Sequence, residues 1–386
     1  MKQYFTILFL TFTSISYGQI TISGNVVNIK TNESIAGANV FISNTSYKTV
    51  TNIQGKFVFE NLNIQKGELI VNALGYKHEV INIDTKTEKN ITIRLETVAK
   101  DLDAVLVRNL EKDGYQKWGK LFMDGFIGTT QEAFDCTIEN TKALKFYYDK
   151  KTEALSVSAN EPLKIINKAL GYQIDYTLED FEYNTKSNIL FYSGYPLFTE
   201  IQKGKRKMQK WEEKRKDCYK GSVMHFMRAL YRNKLSQEGF VVQKANKVLN
   251  EKKAAYKREL KKQISEQTLS NGVISLSGQT DNNENIMRQP DSIYQIVSQV
   301  LSADSFAFAI DSVTAGMYFE KHLIISYKKQ DLNETVSSFV KLLYEEPLSI
   351  FQNGSYCNSL NFFTERYWAD NEKMARMLPF DFVYKE

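Results

Sequence analysis

Histidine and cysteine are scarce in this chain, three of each in 386 residues, and that scarcity removes most metal and nucleophile chemistry. His78, His225 and His322 are followed by Glu79-Val80-Ile81, Phe226-Met227-Arg228 and Leu323-Ile324-Ile325. None completes HxxE or HExxH, in which two ligands must share one helix face or loop to grip zinc. Cys136, Cys218 and Cys357 include no CxxC. Their odd number leaves at least one thiol unpaired, and one bridge or three free thiols both stay open. GxSxG, GxGxxG and the complete GxxxxGK[ST] loop are absent, so neither a serine nucleophile elbow nor a phosphate cradle is specified. The sequence assigns no catalytic residue, no metal ligand and no cofactor.

Proline and glycine, at 5 and 19 residues, are too few for a collagen-like or Pro-rich chain. The formal charge of +5 is too small to imply a nucleic-acid partner. The N-terminal apolar run, Tyr4 to Ile15, falls short of the roughly 20 residues a transmembrane helix needs. It reads instead as an export leader over residues 1–18. Lys2 supplies the positive start, and Ser16-Tyr17-Gly18 places small residues before a cleavage at Gln19. The expected product is exported, periplasmic or outer-membrane associated, with no transmembrane segment after cleavage.

Aromatic residues are plentiful, at 13%, which favours a packed β-rich core. Residues 19–96 alternate apolar and polar positions in short runs: Ile20-Thr21-Ile22, Ala38 to Ile42, Lys56 to Phe59, Leu69 to Val71, Val80 to Ile83 and Ile91 to Leu95. Turn signals such as Gln54-Gly55 separate them. Six or seven strands at that spacing predict a β-sandwich. Gly24, Gly37-Ala38-Asn39-Val40, the stretch from Thr51 through Gly55 to Phe57, and Gly75-Tyr76 follow in order. In that pattern the segment resembles the carboxypeptidase-like regulatory domain of Bacteroidetes envelope proteins. The resemblance implies a transthyretin-like sandwich of seven strands, an accessory module without the peptidase. Leu102 to Asn109, within a linker strand at 97–109, resembles the strand that leads into TonB-dependent receptors, but too little chain follows for a plug and barrel.

Residues 110–386 read as a larger α+β domain. A helix is expected around Trp118, Leu121, Phe122 and Phe126, then an antiparallel meander over 136–200. A helical part spans 203–265, in which Glu251 to Gln263 is a charged surface helix or a mobile linker. Residues 271–288 read as a loop. Strands resume at Ser305 to Asp311, and a short helix ends at Pro379. The fold class is thus an N-terminal transthyretin/Ig-like sandwich plus an α+β domain with antiparallel meanders and a central helical segment. Asn167 to Phe181, Gly194 to Phe198, the series Trp211, Arg215, Tyr219, Gly221-Ser222, His225-Phe226, and Met377 to Phe382 resemble an uncharacterised region that follows the regulatory domain in such envelope proteins. That resemblance supplies no catalytic residues.

The strongest local charge runs from Lys203 to Lys220, nine cations against three acids. Lys205, Arg206, Lys207, Lys210, Trp211, Lys214 and Arg215 are the candidate surface for an anionic ligand or partner, such as anionic lipid or lipopolysaccharide. The competing reading is a helix whose aromatic stripe is core and whose lysines are solvated. Tyr147, Tyr148, Tyr172, Tyr176 and Tyr183 are candidates for stacking on sugars, or else for β core. His225, beside Phe226, reads either as an orienting imidazole or as a hydrogen-bonded core histidine. The expected function is a non-enzymatic docking protein that contacts an envelope protein or surface glycan. The alternative is a hydrolase of peptidoglycan or polysaccharide with its site in the C-terminal domain.

Overall fold

A computed structural model describes residues 20–87, 89–98, 110–269, 281–329 and 334–385. The leader at 1–18 and the linker strand beyond residue 98 lie outside the described residues. The chain divides into two compact units, Met1–Val105 and Leu106–Glu386.

The first unit is a sandwich of seven strands: β1 (Ile20–Asn28), β2 (Asn39–Ile42), β3 (Lys48–Val50), β4 (Lys56–Leu62), β5 (Lys66–Asn72), β6 (Glu79–Asp84) and β7 (Asn90–Leu95). One sheet has the order β4-β1-β7 and the other β3-β2-β5-β6. Only β1 and β7 run parallel. Alternation sends Ile22, Val26, Val40, Ile42, Phe57, Phe59, Leu69, Val71, Ile93 and Leu95 into one core, as the period of two dictates. The recurrent residues of the sequence pattern now have physical reasons. A Cβ on Gly24 would lie 2.3 Å from the Ile91 carbonyl oxygen, so only glycine lets β1 and β7 approach. The buried Thr51 hydroxyl donates to the Ile35 carbonyl at 2.7 Å and accepts from the Ala38 amide at 2.8 Å, which staples the Gly37-Ala38 entry to β2. Gly55 holds φ +71° with its Cβ direction aimed at the Val26 carbonyl.

The second unit begins with α1 (Gly114–Phe126). The helix ends at Gly128, whose positive φ returns its amide to the Met123 carbonyl. Phe122 and Phe126 are fully buried and meet Phe146, Phe181, Tyr176 and Tyr192 edge-on or tilted. Gly114 to Lys120 does carry the GxxxxGK spacing, but Leu121 follows where a phosphate loop needs Ser or Thr, and the whole stretch is helix.

The sheet under α1 comprises β8 (Cys136–Ile138), β9 (Leu144–Asp149), β10 (Ala154–Ala159), β11 (Leu163–Asn167), β12 (Tyr172–Asn184) and β13 (Ile189–Glu200). All neighbours are antiparallel, yet the order departs from a simple meander. The long β12 pairs with β13 along one edge. On its other edge it pairs with β11 at one end and β10 at the other.

Then come α2 (Lys205–Tyr219), α3 (Val223–Tyr231), β14 (Phe240–Leu249), α4 (Glu251–Leu269), α5 (Asp281–Arg288) and β15 (Ser292–Val300). Three expectations are corrected here. The 203–265 segment is not helical throughout, because Phe240–Leu249 is a strand. The 271–288 loop contains α5 over its last eight residues. Strands resume at Ser292, not at Ser305.

The remaining elements are β16 (Ala307–Ala309), β17 (Ala315–Met317), β18 (His322–Lys329), β19 (Glu334–Leu342), β20 (Leu348–Ile350), β21 (Tyr356–Cys357), β22 (Phe362–Arg366) and α6 (Tyr367–Asn371). The C-terminal helix therefore stops at Asn371, eight residues before Pro379. The sheet β15-β14-β18-β19-β22 packs one face on α3 through Phe226, Met227, Phe240, Val242, Ile325, Val340 and Trp368. Its edge strands β15 and β22 nonetheless touch. Tyr294 Oη donates to Glu365 Oε2 at 2.7 Å, and Lys247 Nζ donates to Glu365 Oε1 at 3.1 Å. The sheet is curled, and Tyr294 lies stacked on Phe339 with centroids 3.9 Å apart inside the curl. A bulge where β15 meets β14 is filled by the Gln243 side chain, which donates to the Val297 and Ser298 carbonyls. Bulges of this kind raise local bending.

Candidate functional site

Helix α2 divides the predicted cationic set in two. Trp211, Arg215, Cys218 and Tyr219, at i, i+4, i+7 and i+8, form the buried stripe. Trp211 and Arg215 are therefore corrected: they are anchors, not ligand contacts. Trp211 Nε1 donates to the Lys168 carbonyl at 2.7 Å, and its ring covers Gly171, where a Cβ would fall 2.2 Å from Cδ2. Arg215 donates through Nε to the Leu170 carbonyl at 2.8 Å and pairs with Glu200 through Nη1. Its guanidinium lies 4.1 Å from the Tyr172 ring centroid. Arg215 thus fixes the helix both to the 168–172 turn and to Glu200 at the end of β13.

Lys205, Arg206, Lys207, Lys210 and Lys214 are exposed. Lys214 reaches Glu132 at 3.9 Å. The other four find no carboxylate at ion-pair distance among the described residues. Lys205, Arg206 and Lys207 occupy the first turn, behind Gly204, which offers no capping side chain, and the turn holds no acid. A helix N-terminus carries partial positive charge, and each cation placed there costs about 0.3–1 kcal/mol. Lys207 Nζ lies 5.3 Å from the Trp211 ring centroid, whereas Lys205 and Arg206 have no stabilising partner among the described residues.

Between α2 and α3 the chain turns on Gly221, φ +78°, under the Tyr327 ring. Ser222 caps α3 by accepting from the His225 amide. His225 is buried. Its Nδ1 accepts the Gly221 N–H at 3.0 Å, so Nε2 carries the proton toward Glu238 Oε2 at 3.1 Å. Burial, with Arg232, Arg228 and Lys220 nearby, lowers its pKa to about 3. The imidazole is a neutral joint of the scaffold, the second of the two readings above. Tyr172 and Tyr176 are likewise core, while Tyr147, Tyr148 and Tyr183 are half-buried.

None of the three cysteines is in a disulfide: Cys136 and Cys218 are buried and Cys357 is exposed. Burial pushes both enclosed thiols up to about 12, so neither is a thiolate nucleophile at neutral pH. Around them lies a set of charges that sequence spacing did not bring together. Glu132 is buried. Desolvation raises its pKa, but Arg376, at 3.1 Å, and its own backbone outweigh that and hold it low. Glu372 goes the other way. Desolvation lifts it to about 7, against the pull of Arg376 and the Val223 amide at the start of α3. No motif marks Glu372. It follows α6 at a distance from every element that faces it.

In the first unit the exposed features are apolar. Val50, Asn39 and Asn72 are in register, so the β3–β4 and β5–β6 turns leave the same end of one sheet. Ile53, 82% exposed, and Leu74, fully exposed, stand on those turns beside the exposed Val50. Val98, also exposed, is hydrogen-bonded to the Gly75 carbonyl at the same end.

Residues 22–107 match the CarboxypepD_reg-like domain family, and a further C-terminal region follows. No curated protein matches the chain. Among solved structures it is similar to a protein of unknown function from Bacteroides fragilis, at 8% identity over 86% of this chain and 93% of that one, with a TM-score of 0.18. It is also similar to a 9R-lipoxygenase from Cyanothece, at 11% identity over 62% and 50%, with a TM-score of 0.16.

Proposed function

We propose that this is a non-enzymatic cell-envelope docking protein, whose regulatory-like sandwich seats on an envelope protein through the loop end that carries Val50, Ile53, Leu74 and Val98. The observation that carries this reading is the full exposure of Leu74, with Ile53 on the adjoining turn. Exposed large aliphatic side chains grouped at one end of a sheet are the kind of apolar patch that marks a protein-interaction surface. A sugar would call for aromatic faces instead. The leader expected over residues 1–18 from the sequence supports an exported location. The cationic first turn of α2 supports a second, weaker contact with anionic envelope lipid or lipopolysaccharide.

Hydrolysis of peptidoglycan or polysaccharide would call for two carboxyls facing one another across a cleft. Glu372 supplies one with a raised pKa. Glu132, which shares Arg376 with it, is occupied by Arg376 and Lys214. The arrangement favours binding over bond cleavage.

The test is photo-cross-linking in the producing cell. A photoreactive residue replaces Ile53, Leu74 or, at the other end of the same sheet, Lys86. The reading expects one envelope protein to be captured from positions 53 and 74 and not from 86. It also expects capture from 53 to be lost when Leu74 is changed to Asp. Equal capture from all three positions would refute it.

A further inference from the structure

The outer N–H and C=O groups of an edge strand can pair with another chain, and natural edges are guarded by charge, by proline or by being short. The edges of this molecule follow that rule with one exception. In the sandwich Lys48 stands on β3, Lys56 on β4, Asp84 on β6 and Arg94 on β7. In the second unit Lys145 stands on β9, Pro196 on β13 and Glu365 on β22. The edges β8, β16 and β21 have three residues or fewer.

The exception is β15. Its nine residues, Ser-Ile-Tyr-Gln-Ile-Val-Ser-Gln-Val, include neither a charge nor a proline. Among the described residues it pairs only with β14. Tyr294 turns into the curl of the sheet, but every residue from Gln295 to Val300 is exposed. Ile293, Ile296, Val297 and Val300 therefore stand in water, as does Leu249, opposite Ser292 on β14. The bulge at Val297 and Ser298 is the strand's one protection. It leaves Ser292–Ile296 in unbroken register with β14. An apolar strand open along one edge is the surface that an added strand covers.

The charges select which strand that is. A copy of β15 laid antiparallel against it brings no like charges together, because the strand has none. It also sets unlike ends side by side. Lys253 and Lys257 both reach Asp291 just before the strand, which leaves one cation in excess. Asp304 follows just after the strand, exposed and without an ion-pair partner among the described residues. Antiparallel pairing turns the cationic start of one copy toward Asp304 of the other, whereas parallel pairing would set cation beside cation.

We propose that β15 is the interface of a dimer of this chain, in which two copies pair antiparallel about a two-fold axis and join their five-stranded sheets into one. The proposal uses nothing in the sandwich and is independent of the docking reading.

The test is sedimentation equilibrium of the full chain over a concentration series. A reversible monomer–dimer equilibrium is expected, and it should stop at the dimer because a two-fold contact closes on itself. Gln295→Lys sets lysines close to one another across the axis and should weaken the dimer by at least about tenfold. Gln295 is already exposed, so this variant should melt with the parent chain. Cys357→Ser leaves only the two buried thiols. In that background Gln295→Cys should give a disulfide-linked dimer under copper phenanthroline, and Lys150→Cys, on the exposed β9–β10 turn, should not. Should Gln295→Lys melt below the parent chain, the cysteine result alone decides. A chain that stays monomeric refutes the proposal, including one that instead captures a different protein at position 295, and so does growth beyond the dimer. A dimer that withstands Gln295→Lys, or one that Gln295→Cys does not lock, refutes β15 as its seat.

Discussion

Two titratable side chains in the second unit, the buried His225 and the half-buried Glu372, respond to pH in opposite directions. His225 is a base whose folded pKa, about 3, lies below its ordinary 6.5. Stability from keeping it neutral is present above pH 6.5 and drains away as pH falls toward 3. Glu372 is an acid whose folded pKa, about 7, lies above its ordinary 4.5. Its contribution is present below pH 4.5 and is lost as pH rises through 7. Glu372→Gln should therefore melt close to the parent chain at pH 5 and above it at pH 8. His225→Asn should lose less stability than the parent between pH 7 and pH 5. Thermal melts across that range check both signs. A Glu372→Gln variant that melts lower than the parent at pH 8 would show that the carboxylate is stabilising there. At this scale the sequence was partly informative. The position of His225, beside Phe226 on an apolar stripe, pointed to a core imidazole. Glu372 carries no local signal, because its environment comes from β13, β21, α2 and α3, which are distant in sequence.

At the scale of elements, α2 shows how a charge run is misread. Composition alone cannot say which residues of a helix face the sheet, and Arg215 counts as a surface cation until its partners, Leu170 and Glu200, are in place. The stripe Trp211, Arg215, Cys218, Tyr219 has helical spacing, so the burial of Trp211 was accessible to pattern reasoning. The burial of a guanidinium was not. Strands β14 and β15 were missed for a related reason. Beyond residue 245, β14 has lost β18 and pairs only with β15, and in β15 Ile293, Ile296, Val297 and Val300 remain exposed, so neither shows the clean alternation of a half-buried strand. α5 is rich in Asn, which reads as loop. The cations at the start of α2 yield a prediction with two readouts. Lys205→Gln, Arg206→Gln and Lys207→Gln together should stabilise the protein by about 1–2 kcal/mol, because each relieves an unfavourable contact with the helix dipole. The same triple change should abolish salt-sensitive binding to vesicles containing anionic lipid. A variant that is more stable yet binds such vesicles as well as the parent would leave these residues without the anion role. A variant that is less stable would contradict the dipole argument itself.

At the scale of the whole molecule, the two units differ in how much of them could be read from sequence, and the physics explains why. The sandwich is built from local alternation and a few residues whose roles are backbone-level: Gly24 at a strand crossing, Thr51 stapling a neighbouring segment, Gly55 at a positive φ. Those constraints are short in range and leave a pattern. The second unit closes through pairings such as Asn167 with Ala375, Trp368 with Gly221 and Arg228 with Phe380, each spanning more than a hundred residues, and no window of sequence contains both partners. The same contrast predicts how the protein unfolds. The core of the first unit lies wholly within residues 20–95. The two large cores of the second unit lie wholly within residues 118–384. Calorimetry should therefore show two transitions. Leu69→Ala, a cavity at a fully buried site, should lower only one of them, by the roughly 2–5 kcal/mol such truncations cost. Phe122→Ala should lower only the other. A single transition that both variants shift equally would mean that the units fold as one cooperative block, and the first unit would then have to be studied within the full chain.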